Sequence, residues 1–294
     1  MEKVSYLGFN NCLRLSNDRF EAIVTTDVGP RILRYGEIGG ANALGEFPEK
    51  GATTEYGDWR IYGGHRIWAA PEAMPFSYAP DNLAVDYRIE GKYSVRLIAP
   101  TDAAGLQKEI AVAIDTEGSA LDVRHRITNR SGGPLEIAPW ALTVFSGGTA
   151  ILPLEPFRAH GDALLPSQPL VLWPFTDLGD ARLRFGSQWI RFSSDAKRET
   201  PIKIGLANKQ GWAAHANGPL LFLKRYPYLE GAKYPDYGVN TELYTSGSFL
   251  EVESLAPLVR LEQGQSVDHV EKWQLWTGVS EEEIEAKLTM LRGW

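Results

Sequence analysis

Gly63-Gly64-His65-Arg66-Ile67-Trp68-Ala69-Ala70-Pro71-Glu72 gathers several kinds of chemistry into one short run. His65 gives or takes a proton, Arg66 is a fixed cation, Trp68 a flat apolar face and Glu72 a carboxylate, while the two glycines admit close backbone approach. A sugar ring calls for that combination, because its hydroxyls need charged hydrogen-bonding partners and its C–H face needs an aromatic platform. A structural reading competes: Arg66 paired with Glu72, and Trp68 filling the core beneath a loop. The site reading is the stronger, since a long aromatic loop is seldom idle.

A second stretch runs Asn240-Thr241-Glu242-Leu243-Tyr244, turns through Ser246-Gly247-Ser248, and continues Phe249-Leu250-Glu251-Val252-Glu253-Ser254-Leu255. In a strand, period two puts Glu251 and Glu253 on one face, opposite Leu250 and Val252. Carboxylates so placed repel, which raises one pKa toward the range of a general base near neutrality. On an edge strand the same pair would be a solvated face. A third stretch, Ser266 to Trp276, alternates His269, Glu271 and Trp273 against Val270, Lys272, Gln274 and Trp276. It reads as structural, with His269 a satisfied hydrogen-bonding residue; His125 and His160 read the same way, and His215 is left open.

Other chemistries fall away. The five histidines form no His-Glu-x-x-His or His-x-His pattern and the single Cys12 supports neither a disulfide nor a thiolate site, so no metal is expected. No Gly-x-Ser-x-Gly elbow or Walker lysine occurs, and no cofactor is expected. A net charge of -7, from 37 acidic and 30 basic residues, leaves no footprint for nucleic acid and little attraction to an anionic membrane. Met1-Glu2-Lys3 opens without an apolar leader, and no run of about 18 apolar residues follows, which reads as a cytoplasmic protein. Oligomeric state is left open.

The elements that must position these residues are strands. The chain of 294 residues carries 29 Gly, 18 Pro, 9 Trp, 12 Tyr and 11 Phe, and short alternating segments recur between turn residues. A first hairpin is expected from Phe20 to Val24 and Gly29 to Tyr35, and a meander over 84–89, 92–99, 106–115 and 119–129. Arg130-Ser131-Gly132-Gly133-Pro134 turns the chain into Leu135 to Phe145. Later strands are expected at 182–192, 201–206, 211–216, 219–227, 240–245, 248–255 and 266–276. Ala43 to Asp81 shows no sustained period and is expected to be an irregular loop. Ser280 and Glu283 form a capping box, and Ile284, Leu288 and Leu291 an apolar stripe, predicting one helix that ends before Gly293. The reading is one domain over 1–294, an all-β protein built as a large antiparallel β-sandwich with a short C-terminal helix.

Several of these segments resemble the galactose mutarotase-like superfamily of aldose 1-epimerases, and within it the branch called DUF4380. Ala22-Ile23-Val24 to Gly29-Pro30-Arg31 and Gly39-Gly40-Ala41-Asn42 are similar to the opening strands and Gly-x-Asn corner. Tyr62-Gly63-Gly64-His65-Arg66-Ile67 is similar to the segment whose Asn-Arg pair binds sugar, with His65 on the Asn position. Ile127-Thr128-Asn129-Arg130-Ser131 to Pro139 resembles the approach to the catalytic histidine. Leu250-Glu251-Val252-Glu253, followed by Leu261-Glu262-Gln263-Gly264-Gln265-Ser266, resembles the strand of the catalytic glutamate and the turn behind it. The resemblance implies the supersandwich fold, a carbohydrate partner and anomer interconversion, in which a glutamate takes the anomeric proton and a histidine protonates the ring oxygen. It puts the glutamate at Glu251, with Glu253 a close rival because the spacing to Pro257 differs. The histidine is missing: Pro139-Trp140-Ala141-Leu142-Thr143-Val144-Phe145 stands in its place, so His65, or more distantly His215, would have to serve. The expected cleft holds His65, Arg66, Trp68, Glu72, Trp140, Glu242, Glu251 and Glu253. A non-catalytic carbohydrate-binding protein and a carbohydrate hydrolase or lyase are the alternatives.

Overall fold

The structure is a computed structural model that describes residues 1–291. Strand-forming residues at alternate positions leave each strand with one apolar side, and two antiparallel sheets bury those sides against each other. The 11-stranded sheet runs, in spatial order, Glu2–Tyr6, Phe9–Ser16, Phe20–Thr25, Arg31–Glu37, His65–Ala70, Leu135–Ser146, Phe249–Leu255, Thr241–Ser246, Ile202–Leu206 and Leu170–Leu172. Val259–Leu261 joins it beside Leu135–Ser146. The 10-stranded sheet runs Leu183–Phe185, Trp189–Ser193, Thr149–Pro153, Trp212–Asn217, Leu220–Arg225, Ser266–Trp276, Leu121–Asn129, Leu106–Ile114, Ser94–Thr101 and Asp86–Gly91. Leu15, Val24, Tyr35, Phe145, Leu250 and Val252 from the first sheet meet Leu97, Ile110, Val123, Phe222 and Trp273 from the second in one core. Phe222 is its centre, with its ring 5.2 Å from both Phe145 and Trp273.

The expected all-β sandwich is therefore present, and so are the first hairpin and the meander, which is the end of the second sheet. The Arg130–Pro134 turn carries the chain from one sheet to the other, and Asn129 ties it down by donating from Nδ2 to the carbonyls of Gly133 and Leu261. At the C-terminus the capping box forms: Ser280 N–H donates to Glu283 Oε2 at 2.8 Å and Glu283 N–H to Ser280 Oγ at 3.2 Å. The helix Glu281–Leu291 lays Ile284, Leu288 and Leu291 on the outer side of the second sheet, over Ile151, Trp189, Trp212 and Leu221. Its expected end at Gly293 lies outside the described residues. Among the described residues no helix is long and apolar enough to cross a membrane.

Three expectations need correction. Residues 43–81 are not one irregular loop. Glu46–Thr54 and Gly57–Gly63 form a separate two-stranded flap, His65–Ala70 is a central strand of the larger sheet, and only the stretch with the turn at Phe76–Tyr78 is irregular. The period was hidden because His65–Ala70 is buried on both faces, while the flap hairpin is largely exposed and its register shifts between Phe47 and Gly51. The expected strand 182–192 is two, Leu183–Phe185 and Trp189–Ser193, paired as a hairpin. Phe249–Leu255 is no solvated edge; it lies between Leu135–Ser146 and Thr241–Ser246, and all its residues are buried.

Candidate functional site

Directly opposed residues of antiparallel strands share a face. Trp68 faces Trp140, and Arg66 faces Leu142, across one ladder. Leu142 in turn faces Glu253, and Val144 faces Glu251. The next ladder sets Glu253 opposite Glu242 and Glu251 opposite Tyr244, and the last sets Tyr244 opposite Lys203. Five strands thus place Arg66, Trp68, Trp140, Glu242, Glu251, Glu253, Tyr244 and Lys203 on the side of the larger sheet that faces away from the sandwich core. Trp59 and Ile61 of the flap, Tyr78 and Glu72 of the irregular stretch, and Trp173 and Phe175 beyond Leu170–Leu172 complete the walls of a cleft of about 370 Å³. That is the size of a site for a small organic ligand.

Each charge in the cleft is held by another. Arg66 Nη2 donates to Glu251 Oε1 at 3.0 Å, and its guanidinium lies over Trp68 at 4.8 Å and Trp59 at 5.5 Å. Arg66 Nε and Nη1 are buried and make no hydrogen bond. Lys203 Nζ stands 2.7 Å from Glu242, 3.6 Å from Glu253 and 3.8 Å from Glu72, and 4.6 Å from the rings of both Trp140 and Trp173. Trp140 Nε1 donates to Glu253 Oε2 at 2.7 Å, and Tyr78 Oη to Glu72 Oε1 at 2.5 Å.

Burial pushes the Glu251 carboxyl up to about 7; Arg66 pulls it down and Glu253 raises it. Glu242, the most deeply placed, is raised well above the usual carboxylate range by burial, against the pull of Lys203. Burial works to lower the Lys203 pKa, but Glu242, Glu253 and Glu72 outweigh it and hold the ammonium charged. Burial also raises the Tyr78 phenol, helped by Glu72.

Six of the eight expected residues are thus on this face, with Glu242 beneath the cleft under Lys203, and Glu72 joins them from the cleft wall. His65 is not. It occupies the other side of its strand, in the core between the sheets, because adjacent residues of a strand point opposite ways. Its Nδ1 is 2.9 Å from Thr143 Oγ1 and its Nε2 is 2.7 Å from His125 Nε2. The competing reading of Arg66 is also displaced, since its partner is Glu251 rather than Glu72.

None of the five histidines lines the cleft. His125 and His269 share the core with His65, His215 stacks on Phe145 at 3.9 Å and hydrogen-bonds the Gly147 carbonyl, and His160 is exposed on the 154–169 loop. His65, His125 and Glu271 lie close enough together to suggest a metal set. Their atoms are already committed. Glu271 accepts from Lys224 and Ser254 through Oε1 and from Trp273 through Oε2, and His125 Nδ1 meets the His269 carbonyl.

Lys203 and Trp173 went unforeseen. Ile202-Lys203-Ile204-Gly205-Leu206 alternates, so Lys203 was assignable to the non-core side, but a lysine there is by default solvated. Only the neighbouring Glu242 and the cover of Trp173 bury it.

The architecture of two packed antiparallel sheets is the galactose mutarotase-like fold. Among solved structures, the chain is similar to a galactose mutarotase-like protein from Lactobacillus casei, with 12% identity, TM-score 0.54, and 90% of this chain and 100% of that one covered. A candidate aldose 1-epimerase from Escherichia coli matches with 11% identity and TM-score 0.53 over 91% and 99% of the two chains. A candidate mutarotase from Salmonella typhimurium matches with 10% identity and TM-score 0.59 over 94% and 96%. No protein-family model matches the chain and no curated protein matches it, so the DUF4380 branch finds no support.

Proposed function

We propose that the cleft binds a sugar and interconverts its anomers, with Glu251 taking the proton of the anomeric hydroxyl. The observation that carries this reading is Glu251 itself: a carboxyl on the cleft floor, raised to about 7 and hydrogen-bonded by Arg66 among tryptophan faces. A base of that pKa is half ionised at neutral pH and suited to proton transfer. As O1 loses its proton to Glu251 and the ring oxygen gains one, the C1–O5 bond breaks; rotation about C1–C2 and reclosure give the other anomer. No histidine lines the cleft, so this reading gives the acid's part to another group. The phenols of Tyr78 and Tyr244 are the O–H donors on the cleft walls, and one of them is assigned that proton.

A second reading, carbohydrate binding without catalysis, is favoured by one observation. Leu142 and Val144 stand opposite Glu253 and Glu251, so no acid faces the carboxylates from that strand. Anomeric exchange measured by NMR on a panel of aldoses separates the two. Acceleration by the native protein that disappears in Glu251→Gln supports the mutarotase. Binding without acceleration for any sugar supports the second reading, and neither effect removes the sugar.

A further inference from the structure

The cleft gathers four carboxyl groups around two cations, and each cation is already paired with a carboxyl. Glu72, Glu242, Glu251 and Glu253 converge on Arg66 and Lys203 alone. Arg66 is bound to Glu251 and pressed on two indoles; Lys203 sits among three carboxylates and two more indoles. A phosphate or carboxylate on the ligand would find Arg66 Nε and Nη1 without hydrogen bonds, both buried beside Trp59 and Trp68, and would there meet the surrounding carboxyl groups in a poorly solvated space. A positive group has the opposite experience. Glu72 is exposed at the mouth, Glu251 lies at the floor, and the aromatic rings of Tyr78 and Tyr244 line the space as well.

We infer that the cleft selects a sugar bearing a free ammonium group, a hexosamine, over the neutral sugar and against phosphorylated or acidic ones. This rests on the sugar reading above and adds the charge of the ligand to it.

The test is titration calorimetry on the full chain, at a pH where the amine is protonated and at low ionic strength. Glucosamine, galactosamine and mannosamine are compared with their parent hexoses, their N-acetyl derivatives and the hexose 6-phosphates. A hexosamine is expected to bind at least about tenfold more tightly than its parent, as for a charge-assisted hydrogen bond in a partly buried site. Acetylation and added salt should each erase the difference, and Glu72→Gln should shrink the ratio of the two affinities. A parent hexose that binds as tightly as its hexosamine, or a 6-phosphate that binds more tightly, overturns the inference while leaving the sugar cleft intact. If no sugar in the panel binds, the sugar reading falls and takes this inference with it.

Discussion

His65 and Arg66 stand back to back in one strand. Through the sheet in one direction, His65 Nε2 reaches His125 at 2.7 Å in the core; in the other, Arg66 Nη2 reaches Glu251 at 3.0 Å in the cleft. Thr143 and Ser254 repeat the arrangement behind Leu142 and Glu253, so three strands of the cleft floor are anchored from behind by one buried polar network. The proton assignments in it are consistent throughout. His125 Nδ1–H donates to the His269 carbonyl, His65 Nε2–H to His125 Nε2, Thr143 Oγ1–H to His65 Nδ1, and Lys224 to Thr143, which leaves His65 and His125 neutral.

The pH dependence of anomeric exchange should report Glu251. As a base it acts when ionised, so the rate rises with pH through about 7 and is lost below. Glu251→Gln should cost about 10²- to 10⁴-fold, the usual contribution of such a group. Arg66 lowers this pKa, so Arg66→Gln should move the midpoint upward. A profile that is flat from pH 5 to about 8 would remove Glu251 from the reaction.

Lys224 and Glu271 form an ion pair with both side chains fully buried, 2.8 Å apart. Lys224→Met leaves the carboxylate without its counter-charge and should destabilise the fold by about 3–5 kcal/mol. Lys224→Met combined with Glu271→Gln should recover most of that loss in urea unfolding. Equal stability of the single and double variants would show that the pair is not what compensates the buried charge.

Acid should unfold the protein through its histidines. Burial depresses His215 to about 4 and His269 to about 3, against an unfolded value of about 6.5. Below about 6.5 the unfolded chain takes up protons that the fold refuses, so stability is complete above that pH and falls as pH drops toward 4. Glu251 opposes this: raised to about 7, it favours the fold at lower pH across the interval from its ordinary carboxylate value. Replacing His215 with Gln should flatten the slope of unfolding free energy between pH 6.5 and 4. Stability that increases over that interval in the native protein would contradict the account.

The C-terminal helix is closed by two reciprocal hydrogen bonds between Ser280 and Glu283. Ser280→Ala should weaken it by about 1 kcal/mol. Hydrogen exchange is the direct readout, with faster exchange confined to the amides of the helix; unchanged protection there would mean that packing of Ile284 and Leu288 alone holds it.

Much of the fold was legible where a strand has one wet side. Leu106–Ile114 alternates in burial residue by residue, and its sequence alternates with it except at Lys108, a buried position where the lysine pairs with Asp102. The signal fails where both sides are covered, as in His65–Ala70, or where both are exposed, as in much of the flap. It also fails at Gly186–Gln188, where a three-residue turn inside a run of mixed apolar and arginine residues folds one expected strand into two.

What the sequence by itself determined is relative: Glu251 and Glu253 share a side, His65 and Arg66 do not, and Ser280 begins a helix. A period of two follows from the backbone alone, so these relations hold in any fold that makes the strands. What only the tertiary structure decided is absolute. It chose which side is core and which is cleft, brought Arg66 to Glu251 across 185 residues of chain, and turned Lys203 from a solvent-facing lysine into the counter-ion of three carboxylates. Those outcomes depend on which strands become neighbours and what covers them, and pairings so distant in sequence leave no local pattern to read.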